Sequence, residues 1–466
     1  MLKRPATAIL NGWGAVVGLY RIQVLLILAL VFAAGQQQLL TKEEASSTFV
    51  NPVFLQLRLQ HHLYGTNFYA YAFWGGAGAL IPGLFYGRFA MAAVMALLPP
   101  IVHLYLRRRF SWPGSQAFLA AIAIGLLPGV MGFSWIGVEY GLPAPVGFLA
   151  LWLALFESPL AIAGSCFAAA LAAGTYGSGL VFLPVVFFHQ LPRLRKPELR
   201  HSVIAGGALA AAVLLFPVFW WTNVQTLFVG GAGVPSVEGG FDRLADLFRE
   251  LFVHSGSYYF FTNGTPALGS VVIGMAALAG MAVMMIREPS RSWPVFMVSA
   301  VTLALYAPAG NVPGVRRTIP LVVSLGICAA VLLRIATAGG PVRRVVFYGL
   351  LSAAILFEFA KYNGIRRGLA SSEIPLPHDF EFRIPPGETM STAIAALVNR
   401  SRTLPDDLAG YEPDRTLAIL YRLTLPNPIV TADELVARCD RHGWSIPSGS
   451  RRLSRLRHWL CIACPE

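Results

Sequence analysis

The chain has 466 residues, of which 56% are hydrophobic and only 13% charged, with a formal net charge of +13. A soluble globular domain is typically about 25% charged. The composition therefore excludes an ordinary soluble enzyme, and several apolar runs reach the roughly 17–25 residues of a spanning helix, which defines a polytopic membrane protein. The positive charge is no argument for nucleic acid, because it falls in short Arg-rich stretches between apolar runs and in a basic tail, as cytoplasmic loops do.

Runs of this length favour a helical bundle over a barrel, whose strands are about ten residues of alternating pattern. The first span is expected over 13–35, retained and not cleaved, with Lys3, Arg4 and Arg21 holding its start in the cytoplasm. The following stretch, to residue 87, is then external and carries Lys42, Glu43, Glu44, Arg58, His61 and His62. Its aromatic end, 67–86, is broken by Gly75, Gly76, Gly78 and Pro82 and reads as an interfacial or re-entrant segment. The second span, 89–106, closes on Arg107-Arg108-Arg109 inside, and the third, 115–132, leads out to a short loop with Glu139.

Spans four to six follow at 142–156, 160–173 and 180–189, the last two joined by the turn Thr175-Tyr176-Gly177-Ser178-Gly179. They end at a basic loop with Arg193, Arg195, Lys196 and Arg200. Span seven, 203–221, opens onto a long external loop that is amphipathic over 241–253 and aromatic at Tyr258-Tyr259-Phe260-Phe261. Spans eight to eleven are expected at 266–286, 295–309, 319–333 and 345–359. The architecture is thus an all-α polytopic membrane bundle of about eleven spans over 1–360, with its N-terminus inside. A small extracytoplasmic α/β domain is expected over 361–466, with helices at 388–399 and 432–442 and strands at 416–424 and 456–462. No internal repeat, Gly-rich phosphate loop or basic–aromatic pattern is visible.

Ionisable groups at membrane level are functional candidates by default, because they are costly there. Glu157, Glu198 and Glu288 fall among cytoplasmic arginines, and Asp242, Asp246 and Glu250 share an amphipathic segment with Arg243 and Arg249. Glu43, Glu44 and Glu139 stand on the external side, from two separate loops. Arg316-Arg317 lies in the loop 310–318 on the same side, where the positive-inside rule disfavours it. A carboxylate accepts the proton of an attacking hydroxyl, and arginine forks stabilise a departing phosphate oxyanion. The plainer readings are a solvated helix end for the glutamates and a headgroup-bonding pair for the arginines. Arg58, His61, His62, Tyr258 and Tyr259 are candidates for acceptor or donor contacts. Adjacent histidines do not face one way, which argues against a joint metal site. Cys166 and Cys328 lie in apolar runs, and Cys439, Cys461 and Cys464 in the tail suit one disulfide with a spare thiol better than a metal.

The arrangement resembles the GT-C-type polytopic glycosyltransferases that use polyprenyl-phosphate sugars, in the protein mannosyltransferase and aminoarabinose-transferase branch. The acidic pair after the first span is matched by Lys42-Glu43-Glu44-Ala45, and the Arg-headed second span by Arg88 with Arg107-Arg108-Arg109-Phe110. Pro128, Ser134 and Glu139 match the next external loop, 173–179 the Gly-rich hairpin, and Val315-Arg316-Arg317-Thr318-Ile319-Pro320 the late Arg loop. The chain departs from the family in having Glu43 where Asp is usual, and Thr175-Tyr176 where Lys is frequent. The resemblance implies inverting transfer from a lipid-phosphate sugar to an extracytoplasmic acceptor in the inner membrane. Glu43 or Glu44 would be the base, Glu139 would support acceptor or base, and Arg316 or Arg317 would meet the phosphate. It implies no fixed cofactor, leaves a divalent metal open, and names membrane lipids but no nucleic acid as partners. The alternatives from other classes are a flippase of lipid-linked sugars, which would place ionisable groups near the bilayer midplane, and a non-enzymatic envelope-assembly protein acting through its tail.

Overall fold

In the computed structural model, the residues described are 39–41, 68–80, 86–134, 136–220, 240–253, 265–306, 314–370 and 380–383. The first expected span, Glu43, Glu44, Arg58, His61, His62, Tyr258, Tyr259 and the tail elements expected beyond residue 383 lie outside them.

The helices among these residues are α1 (Phe68–Leu80), α2 (Tyr86–Met95), α3 (Leu98–Phe110), α4 (Gly114–Gly125), α5 (Pro128–Ser134), α6 (Pro143–Leu153) and α7 (Pro159–Thr175). They continue with α8 (Phe182–Gln190), α9 (Pro197–Trp220), α10 (Gly240–Phe252), α11 (Val271–Arg287), α12 (Pro289–Tyr306), α13 (Gly314–Ala336) and α14 (Pro341–Ala370). Proline opens α5, α6, α7, α9, α12 and α14, the position where its missing N–H costs nothing and its fixed φ suits a helix. Among the described residues, three stretches are long and apolar enough to cross a bilayer singly: Gly87–Phe110, Pro197–Pro217 and Arg317–Ala336. The pair α4 and α5, bent by 74°, makes a fourth if taken as one broken span, and α7 and α11 are shorter apolar helices.

Helix α13 is the axis of the bundle. It packs against α11, α12, α4 and α5, and Ile319, Val322, Val323 and Ile327 are fully buried along it. Small residues permit the closest approaches, as in helix packing within membranes. A Cβ at Gly280 of α11 would overlap the Cys328 backbone of α13, and Gly206 of α9 faces Cys166 of α7. The outer surfaces are apolar: Ile204 and Leu215 on α9, Val272 and Met275 on α11, and Val345 and Leu356 on α14 are all exposed. Such faces would aggregate in water and are satisfied by lipid. The composition and these helices make the chain an integral membrane protein.

One end of the bundle gathers the basic loops. Arg109 donates to the carbonyl oxygens of Ser290 and Arg291, Arg334 donates to that of Phe110 and covers Trp112, and Arg108 covers Phe156. Lys196 pairs with Glu157 at 2.7 Å.

Within the stretch 67–86, expected as an interfacial or re-entrant segment, Ala70, Tyr71 and Trp74 of α1 are fully buried and the helix packs on α7. The period of its aromatics puts Tyr71 and Trp74 on one helical face, and that face meets protein. Arg316 and Arg317 were expected in a loop, but they occupy the first turn of α13. A small sheet was not foreseen: β1 (Leu39–Thr41) pairs antiparallel with β2 (Phe380–Arg383), with Leu40 opposite Phe382.

Candidate functional site

The end of the bundle opposite the basic loops is built around the bend between α4 and α5. Helix α4 stops where Leu126 and Leu127 close their N–H groups on Ile122 and Ile124, and Pro128 then starts α5 in a new direction. All seven residues of α5 are buried. Gly129 is pressed against residue 267: its N–H donates to the Ala267 carbonyl oxygen at 2.9 Å, and a Cβ would come within 2.8 Å of the Ala267 Cβ. Ile136 to Val138 leads from α5 into a 3₁₀ turn, Glu139–Gly141, closed by the Leu142 N–H on the Glu139 carbonyl oxygen at 3.0 Å.

Glu139 is 2% exposed. Its turn cannot drift, because Gly141 lies against Met91 and Met95 of α2 and against Phe133. Tyr140 stacks obliquely on Tyr176 with ring centroids 4.6 Å apart, which joins the turn to the α7–α8 hairpin. The hairpin itself is tight: a Cβ at Gly179 would overlap the Ala172 backbone. The Glu139 turn and the hairpin turn Gly177–Val181 both pack against α13. That helix begins with the Arg316-Arg317 pair, and Arg317 is half-buried. The exposed backbone N–H groups of a first helical turn reinforce a cationic pair there as a site for anions.

The structure therefore brings the Glu139 turn, the Gly-rich hairpin and the helix headed by the Arg pair to one end of the bundle. β1 ends at Thr41, two residues before Glu43 in sequence. Arg88, which heads the second expected span, was not among the expected site residues. Arg88 is 3% exposed and lies one turn before Met91, whose side chain meets Gly141. Its signal was available as a lone cation at the start of an apolar run, costly to bury without purpose. Ser134, Thr175, Ser178 and Thr318 are further buried polar residues on the segments that form this end. Among the described residues no group of three His, Cys, Asp or Glu side chains could hold a metal ion.

No family model and no curated protein matches the chain. Its fold is similar to that of a solved membrane protein, ArnT. The solved structures it resembles include ArnT from Cupriavidus metallidurans bound to undecaprenyl phosphate, with a TM-score of 0.50 and 16% identity over 97% of this chain and 85% of that one. The apo form of the same ArnT aligns with a TM-score of 0.45 and 15% identity, over 86% of this chain and 68% of that one.

Proposed function

We propose that the protein is a membrane glycosyltransferase that moves a sugar from a polyprenyl-phosphate donor to an extracytoplasmic acceptor with inversion. The observation that carries the reading is the buried Glu139 turn packed on the helix that Arg316 and Arg317 head, within a fold shared with a protein solved bound to undecaprenyl phosphate. In this reading the acceptor hydroxyl attacks the anomeric carbon and loses its proton to a carboxylate. The bond from that carbon to the phosphate oxygen breaks, and the lipid phosphate leaves with the electron pair. Arg316 or Arg317, with Arg88, takes up the charge on the phosphate. Glu43 or Glu44 is the base, and Glu139 orients the acceptor or shares the proton. Arg58, His61, His62, Tyr258 and Tyr259 belong to the same proposal as donor or acceptor contacts. So do the topology of about eleven spans with its N-terminus inside and a separate tail domain outside.

Purified protein in lipid, given a labelled polyprenyl-phosphate sugar and acceptor, should release free lipid phosphate. Removing a general base costs about 10²–10⁴-fold, so at least one of Glu43→Gln, Glu44→Gln and Glu139→Gln should lower the rate by that order. If all three leave it unchanged, the mechanism is wrong.

A further inference from the structure

Helix α14 exposes Leu356 and Phe357 to lipid, but it turns Glu358 inward, where the residue is 4% exposed. The Oε2 atom of Glu358 is buried with no hydrogen-bond partner among the described residues. Its charged neighbour is Lys361, and replacing a buried charge and its neighbour's attraction by apolar packing is often neutral or stabilising. The carboxyl lies against Gly269, whose φ is +86° and whose Cβ, if it had one, would overlap it. One helical turn on, Lys361 donates its Nζ to the Gly269 carbonyl oxygen at 3.0 Å. Two side chains of α14 thus grip one glycine.

That glycine belongs to a junction. The Gly269 N–H closes a turn on the Pro266 carbonyl oxygen, and Ala267 and Leu268 donate to the last-turn carbonyl oxygens Glu250 and Leu251 of α10. The Ala267 carbonyl oxygen in turn accepts from Gly129, at the start of the wholly buried α5 that leads into the Glu139 turn. The path from Glu358 to Glu139 therefore runs through one short backbone segment and one rigid buried helix.

We infer that Glu358 is a positioning residue that fixes the Glu139 turn through Gly269, Ala267 and Gly129. The inference rests on the proposed function for its kinetic consequence, but not for the mechanical one. A polar group kept where an apolar one would be at least as stable is a group retained for geometry and not for stability.

The test compares Glu358→Leu with Glu358→Gln in the full-length protein, reconstituted in lipid and assayed by lipid-phosphate release. Misplacing a reacting group by about 1 Å costs on the order of 10²-fold. Glu358→Leu should therefore lower kcat by about 10- to 100-fold with donor KM unchanged, while its melting midpoint stays equal or rises. Glu358→Gln, which keeps shape and polarity, should restore most of kcat. Independently of turnover, amide exchange over 129–141 should quicken in Glu358→Leu and stay at the wild-type rate in Glu358→Gln. Wild-type kcat and wild-type exchange in Glu358→Leu would overturn the inference, as would a loss of melting temperature in step with the loss of activity. If the wild-type protein releases no lipid phosphate, the functional reading fails, and the exchange comparison still decides the role of Glu358.

Discussion

Replacing Arg193 by alanine tests how the basic end of the bundle is held. Arg193 is 7% exposed and lies in the 3₁₀ turn Leu191–Arg195 after α8. Its guanidinium donates to Gln190 Oε1 and to the Ala154 carbonyl oxygen, both at 2.7 Å. Gln190 passes the network on through Nε2 to Ser165 Oγ at 2.7 Å, and Ser165 donates to the Ile162 carbonyl oxygen at 2.8 Å. Arg193 and its partner Gln190 thus tie α7 to the ends of α6 and α8. Two charge-assisted bonds of about 1.5–3 kcal/mol each set an upper figure of about 6 kcal/mol. Releasing the guanidinium from burial offsets part of this, and measured interhelical bonds in membrane proteins are weaker, about 0.6 kcal/mol on average. We expect Arg193→Ala to cost about 2–4 kcal/mol, read from SDS unfolding followed by far-UV circular dichroism. Arg193→Lys should recover about half, since an ammonium lacks the planar fork that serves two acceptors at once. In a Gln190→Leu background the alanine substitution should cost less, because one acceptor is already gone. A cost within about 0.5 kcal/mol of zero, the range of an ordinary surface change, would refute the clamp.

Three further outcomes are expected. Gly280→Val should destabilise by about 1–3 kcal/mol, because its Cβ would meet the Cys328 backbone, which cannot rotate aside; a thermal midpoint equal to wild type would contradict the close approach of α11 and α13. Gly141→Ala and Gly179→Ala should separate in expression and thermal stability: the first meets the movable end of Met91 and, less closely, the Phe133 Cβ, the second the fixed Ala172 backbone, so Gly179→Ala should be the more damaging. The hydrogen bond from Lys196, and then its charge, holds the Glu157 carboxyl below the ordinary carboxylate range. That contribution is present above the unfolded value of about 4.3 and is lost as pH falls through the depressed folded value. Lys196→Met should move the Glu157 titration, followed by carbonyl NMR, up toward the ordinary range, and stability at neutral pH should fall only slightly, because both groups are exposed.

Much of the bundle was legible because apolar length is a local signal. The second expected span, 89–106, falls within Gly87–Phe110, and the expected amphipathic stretch 241–253 forms α10. The turn expected at 175–179 is the tight one before α8. For residues 67–86, glycine and aromatic content describes propensity, whereas the burial of Tyr71 and Trp74 depends on which neighbour meets that face. Arg316 and Arg317 were read as loop because the helix ahead of Pro320 is polar; proline lacks only its own N–H and disfavours but does not forbid a helical residue before it.

The sequence alone determined the solvent of this protein. Charge content and apolar run length are properties of single segments, and they settled membrane insertion and most helix positions without any knowledge of contacts. It also supplied Glu139 as a candidate, since acids before the tail are few. Only the tertiary structure decided that the Glu139 turn packs against the helix headed by the Arg pair, that Arg88 is buried one turn before Met91, and that Glu358 reaches that turn through Gly269 and Gly129. These are relations between residues far apart in the chain. They depend on where a glycine allows two backbones to touch and on which way a helix is bent, and no local periodicity encodes either.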